Sequence, residues 1–233
     1  MDRKDLFLIT CEHGGNRIPQ RYRHYFMGHE ALLQTHRGYD PGALTMARDL
    51  AQALSAPFYY STISRLLIDL NRSIGHPRLY SDVIRKASRS EHIQILKQYY
   101  LPYRRKVEVA VEEAVGQGRR VIHIASHSFT PQLDGEIRNA DIGLLYDPQR
   151  LAEKTICLRW QKALTASSQN FRVRRNYPYT GNSDCLSTYL RRRFTPGEYV
   201  GIELEINQQH AFAGGNSWRA LRETVLGTLL QVR

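Results

Sequence analysis

The chain has 233 residues, the length of one domain or of one domain with a subdomain, and would bury roughly 70–75% of its unfolded surface. Hydrophobic residues make up 42% and charged residues 24%, which excludes a disordered tail. The formal net charge is +11, and 27 of the 33 basic residues are arginine, so a nucleic-acid surface, a small anionic substrate and a compositional bias of the source all compete as explanations.

In chain order, residues 6–10 form an apolar run that ends at a Gly-Gly turn, as a buried strand does. Residues 41–56 carry apolar side chains at helical spacing, and Asp40 followed by Pro41 reads as an N-cap with proline at the first helical position. Residues 58–63 are aromatic and β-branched, hence a strand. Residues 90–116 form a long helical stretch, with a kink or break expected at Pro102. Strands follow at 121–126 and 142–146, a helix at 149–166, and a short exposed-looking segment at 171–175. A strand at 199–206 and a helix at 217–232 close the chain.

This alternation predicts an α/β fold in one domain over residues 1–233, with three layers: a mostly parallel or mixed central sheet with helices on both faces. No apolar run reaches the roughly 20 residues of a membrane-spanning helix, so no membrane partner is expected. The N-terminus shows no signal-peptide pattern, and Cys11, Cys157 and Cys185 are too few for a disulfide framework, so a cytoplasmic location is expected.

In such folds, sites form beyond the carboxyl ends of the strands. The first strand ends in Glu12-His13-Gly14-Gly15, which puts a carboxylate and an imidazole on a loop of little bulk; a solvated turn is the plainer explanation. The strand at 121 ends in Ser126-His127-Ser128, a second imidazole at a second strand end. His123, two residues deeper, is expected to be structural. Glu203 and Glu205 share one face of the strand at 199, where burial demands a cation or a proton; two edge charges facing water would give the same pattern. Arg65 and Arg72 flank an apolar run and suit a carboxylate or an oxyanion, or a salt-bridged loop.

Together these segments resemble the N-formylglutamate amidohydrolase family over residues 6–208. The shared pattern is Glu12-His13-Gly14-Gly15, Asp40 before a helix, Ser-Arg-x-x-Ile-Asp-Leu-Asn-Arg at 64–72, His127-Ser128 and Leu204-Glu205-Ile206. The Asp-Leu-Asn-Arg and His-Ser segments are also similar to those of zinc carboxypeptidases and succinylglutamate desuccinylase-type enzymes, which implies a phosphorylase/hydrolase-like fold. The resemblance implies hydrolysis of N-formyl-L-glutamate to glutamate and formate, a step of histidine degradation, with Zn2+ or another divalent metal as cofactor. It implies His13 and His127 as metal ligands, with the third either Asp40 or Glu12. It implies Glu205 as the carboxylate that activates water, and Arg65 as an oxyanion partner. Substrate binding falls to Asn71 and Arg72, with Ser128 and the loop around Gly181. A family member acting on another N-acyl amino acid is the first alternative. A nucleic-acid-binding protein is the second, on the arginines from Arg172 to Arg193, although no helix-turn-helix, zinc-finger or RNA-recognition signature accompanies them.

Overall fold

The computed structural model describes residues 5–167 and 170–232. The period-two alternation of the central strands sorts their side chains onto two unlike faces. Strand β1 (Asp5–Cys11) sends Phe7, Ile9 and Cys11 to one face and Leu8 and Thr10 to the other. Strand β3 (Arg120–Phe129) sends Ile122 and Ile124 to the first face, and by the same alternation His123 and His127 to the second. The last strand of the sheet, Tyr199–Asn207, sends Val200, Ile202, Leu204 and Ile206 to the first face, which leaves Glu203 and Glu205 on the second. The first face is mostly apolar, with Ser126 Oγ donating to the Ala43 carbonyl of the helix packed on it. The second turns polar toward the carboxyl ends of the strands, and the functional side chains gather there.

The other strands are β2 (Phe58–Tyr60), β4 (Gln132–Leu133), β5 (Glu136–Ile137), β6 (Ile142–Leu145) and β7 (Val173–Arg175), and Tyr199–Asn207 is β8. Six of them form one sheet in the order β2-β1-β3-β8-β6-β7, while β4 and β5 make a separate hairpin. The block β2-β1-β3-β8 is parallel, and β6 joins β8 antiparallel. β8 is therefore interior, which removes the water-facing edge explanation for Glu203 and Glu205. The sheet is mixed and mostly parallel, as the alternation of elements implies.

The helices are α1 (Glu30–Leu33), α2 (Ala43–Leu54), α3 (Arg89–Ile95), α4 (Leu101–Gly116), α5 (Leu151–Thr165), α6 (Leu186–Arg193), α7 (Gln208–Ala213) and α8 (Gly215–Val232). Helices α2, α5 and α8 pack their apolar sides on the first face. Helices α3, α4 and α6, with the 3-10 turn Gln20–Phe26, cover the second. Pro102 does not break its helix. A π-turn over Leu96–Tyr100 precedes it, in which the Leu101 N–H reaches back to the Leu96 carbonyl, and the chain continues into α4. The wider turn gives the proline ring room.

Two strand boundaries and one helix differ from expectation. The strand expected to end at 126 runs on through His127 and Ser128 to Phe129, held by pairing with β8. The strand expected over 58–63 stops at Tyr60. Helix α6 was not anticipated, because its sequence Leu-Ser-Thr-Tyr-Leu-Arg-Arg-Arg reads as a basic patch rather than an amphipathic helix.

That basic stretch is largely engaged with the protein itself. Arg191 is buried and donates to Glu153 Oε1 at 3.0 Å, to the Gly201 carbonyl at 2.9 Å and to the Gly181 carbonyl. Arg193 pairs with Glu108 and Glu112, Arg172 with Asp141 and Asn139, and Arg174 lies over the Tyr177 ring. Glu153 is fully buried, so removing Arg191 strands its charge. Arg191→Met is expected to lower the unfolding free energy by about 3–5 kcal/mol in a urea titration; a loss below about 1 kcal/mol would show the pair to be dispensable.

Candidate active site

His13 reaches the site because β1 ends in two glycines. A Cβ on Gly15 would sit 2.8 Å from the Thr62 carbonyl oxygen, so only glycine lets segment 61–63 pass this close. The Ser61 N–H donates to the Cys11 carbonyl and the Arg17 N–H to the Thr62 carbonyl, which ties the loop to that segment. Asp40 arrives on another loop, fixed by its own N–H donating to the His13 carbonyl at 2.9 Å. Asp40 is not the N-cap expected of it. Helix α2 starts at Ala43, and Gly42, in a left-handed conformation, takes the cap position with no side-chain bond. The Asp40 carboxylate is thereby free to enter the site.

His13, Asp40 and His127 come together, each offering one donor atom within 4.8 Å of the others. His13 Nδ1 lies 3.3 Å from Asp40 Oδ2, and His127 Nδ1 lies 3.0 Å from the same oxygen. The far nitrogens face other carboxylates. His13 Nε2 lies 2.7 Å from Asp69 Oδ1, and His127 Nε2 lies 3.2 Å from Glu12 Oε2. Both Nδ1 atoms converge beside Asp40, while each Nε2 lies close to a carboxylate oxygen behind it. Two imidazoles and one carboxylate, all buried, form a donor set that fits a zinc-like divalent cation.

Glu12 was a candidate third ligand and does not join this group. It lies just past the end of β1 on the Nε2 side of His127, where its Oε1 accepts a 2.7 Å hydrogen bond from the Tyr103 hydroxyl. Burial alone would raise Glu12, but His127 beside it, with smaller help from His123 and Tyr103, brings it down to about 2. Burial opposes protonation of His127 too, yet the carboxylates of Asp40 and Glu12 hold it well above the usual imidazole range. Asp40 stays well below the carboxylate range against its burial, through His13, His127 and Arg65. His123 is structural, as expected. It bridges Thr10 Oγ1 at 2.7 Å and the Tyr199 hydroxyl at 2.6 Å, and burial pushes it down to about 4.

A cavity of about 790 Å3 opens over this cluster and is lined by Arg65, Arg72, Ser128, Tyr179, Glu203 and Glu205 among others. Arg65 spans two carboxylates, with Nη1 3.3 Å from Asp40 Oδ1 and Nη2 2.8 Å from Asp69 Oδ2. Arg72 donates to the Asp184 carbonyl, and the Asp184 carboxylate is held by Ser73. The Asn71 amide is engaged at both ends, accepting from the Leu186 N–H at 2.8 Å while Nδ2 lies 3.3 Å from His127 Nε2. Ser128 Oγ donates to the Pro41 carbonyl and braces β3 against the loop that carries Asp40. Gly181 is not among the cavity-lining residues. A Cβ there would lie 2.1 Å from the Tyr146 nitrogen, so this glycine serves close packing, while its neighbours Tyr179, Thr180 and Ser183 face the cavity.

Glu205 is 5% exposed, and its Oε2 has no hydrogen-bond partner. Burial, and secondarily the Asp40 and Glu203 carboxylates, push it up to about 8 against the pull of His127. Sequence reasoning missed the support beneath the site. The Tyr100 hydroxyl donates to the Arg72 carbonyl, Tyr103 to Glu12, and Arg104 to the Leu70 carbonyl at 3.2 Å while lying over the Tyr100 and Tyr189 rings. Their three-and-four spacing on a helix was the available signal. Asp184 carried none.

The family model of N-formylglutamate amidohydrolase matches residues 6–211. The chain belongs to the N-formylglutamate amidohydrolase family. This makes it a hydrolase acting on C–N bonds. A solved gene product of Agrobacterium tumefaciens is 27% identical, with a TM-score of 0.82, and the alignment covers 99% of this chain and 91% of that one. An N-formylglutamate amidohydrolase from Ralstonia eutropha JMP134 has the same fold at 17% identity and a TM-score of 0.68, covering 99% of this chain and 94% of its own. A search of curated protein sequences finds no match.

Asp69 holds the far nitrogen of His13 and one arm of Arg65, so its loss should be felt at the Nδ1 side of the ring. Asp69→Asn is expected to weaken zinc affinity by about 10–100-fold in competition with a chromophoric chelator. Unchanged affinity would mean that Asp69 gives that ring no support.

Proposed function

We propose that this member of the N-formylglutamate amidohydrolase family hydrolyses N-formyl-L-glutamate to L-glutamate and formate at the cavity above His13, Asp40 and His127. The observation that carries this reading is the buried donor group beside the unpartnered carboxylate of Glu205, in a cavity that also holds Arg65 and Arg72. His13, Asp40 and His127 would hold a zinc ion, which when bound supplies Lewis acidity to water and to the amide carbonyl.

The remaining work falls to side chains of the chain. Glu205 takes a proton from the attacking water and passes it to the amide nitrogen as the C–N bond breaks. Its burial suits both halves of that task, because the protonated form is not driven off by solvent. A cation bound beside it would pull its affinity for protons back toward the ordinary range. Arg72, anchored on the Asp184 carbonyl, offers its other N–H groups to a substrate carboxylate. Arg65 holds Asp40 and Asp69 in place from the rim of the cavity and is the cation placed to meet charge developing on the carbonyl oxygen.

The size of the cavity favours a second substrate. At about 790 Å3 it falls within the roughly 300–1,000 Å3 that enclose drug-sized ligands, which is more than a formyl group and one amino acid need. N-acyl glutamates with longer acyl chains therefore belong in the assay. A panel of N-formyl and longer N-acyl amino acids, assayed with and without added zinc, tests both versions. Turnover confined to acidic amino acids and abolished by a chelator is the expected result; absence of turnover across the panel would sink both.

Glu205→Gln is expected to lower kcat by about 10²–10⁴; near wild-type turnover would remove it as the base. Arg72→Ala should raise KM for acidic substrates with little change in kcat, and an unchanged KM would end its role as carboxylate clamp.

A further inference from the structure

Glu203 is the buried acid that the chemistry above leaves unused. It stands on β8 two residues before Glu205 and on the same face, so their Cα atoms are roughly 6.6 Å apart. It is 6% exposed and lines the cavity. Its Oε1 has no hydrogen-bond partner, and it forms no ion pair among the described residues. Several other buried acids are answered from within the chain. Asp69 has His13 and Arg65, Glu153 has Arg191, and Asp141 has His210. A carboxylate taken out of water without a donor is costly, and interiors rarely keep one. A ligand that enters the cavity can bring the missing donor.

Nothing on the protein side supplies a cation to Glu203, whereas Arg65 and Arg72 in the same cavity suit carboxylates. A free amino acid carries both kinds of charge. We propose that Glu203 is a specificity-determining residue that accepts a hydrogen bond from the ligand nitrogen, first the amide N–H of the substrate and then the ammonium of the released amino acid. This rests on the proposed reaction, in which Glu205 hands its proton to that same nitrogen. A nitrogen within reach of Glu205 is within reach of a side chain of equal length one pleat away.

Glutamate and glutarate differ only in the ammonium group, so their binding to the purified protein by calorimetry isolates the contact. The wild type should prefer glutamate by about tenfold, the scale of one charge-assisted hydrogen bond. Glu203→Gln should lose that preference by weakening glutamate alone, and Glu203→Asp, which keeps the charge on a shorter arm, should fall between. The Tm of Glu203→Gln should be equal or higher, because no hydrogen bond within the protein is lost at Oε1. Equal weakening of both ligands, no weakening of either, or a lowered Tm with preference intact would overturn the proposal. Turnover of N-formylglutamate is measured alongside. Turnover without preference for glutamate overturns the role of Glu203 and leaves the reaction standing, whereas preference without turnover does the reverse.

Discussion

Two imidazole rings turned toward one carboxylate oxygen are the constraint on which the rest of this fold depends. His13 and His127 come from different strands, and Asp40 from a loop that touches neither strand in sequence. Bringing their donor atoms to one point needs both rings held in one orientation. The chain does this from behind, with Asp69 on one Nε2 and Glu12 on the other. Each of these acids has its own support: Asp69 accepts from Arg65 and from the Asn71 N–H, and Glu12 accepts from Tyr103. The site is thus a set of nested hydrogen bonds that reaches out to helix α4. A buried carboxylate without a cation or hydrogen-bond donor is costly, and Asp40, Asp69 and Glu12 sit in connected sets that meet that cost.

The sheet makes this arrangement affordable in folding terms by segregating it. One face of β1, β3 and β8 is mostly apolar and packs on α2, α5 and α8. Both sides bury hydrocarbon surface, the second through the cluster around Leu8, Leu67, Val107 and Leu190. The other face accepts charges near the carboxyl ends of the strands without interrupting the main core. The buried pair of Glu153 and Arg191 then links α5, α6, β8 and the loop around Gly181, so the wall that carries Tyr179 and Thr180 keeps a fixed relation to Glu205.

Much of this was legible in the sequence because strands announce themselves by composition and period. The buried strands around Leu8, Ile124 and Ile202 were found, and with them His13, His127 and Glu205. Asp40 was harder, since Asp-Pro ahead of a helical pattern has an ordinary meaning as a cap. Only the left-handed Gly42, two residues later, shows that the helix begins without it. The placement of Glu12 was not legible at all, because adjacency to a histidine says nothing about which side of the ring a carboxylate will meet. Nor were Tyr103 and Arg104, whose partners Glu12 and Leu70 lie far off along the chain and are joined only by packing. The arginine run at 191–193 misled for the opposite reason: consecutive like charges look like one surface, but a helix turns them to three directions, and the first is buried.

The π-turn at Leu96–Tyr100 has a consequence for how this scaffold can vary. A wide turn inside a helix holds one residue more than the regular ladder does, so it sets the rotational phase of everything after it. Each residue of an α-helix advances the face by about 100°. Deleting one residue there would restore a regular helix and swing Tyr103, Arg104 and Val107 around its axis together. The undersides of Glu12 and Leu70 would then meet whatever side chains came next in the rotation. A change of length in this one turn would therefore reach the underside of the site, since the turn sets the register between helix and sheet.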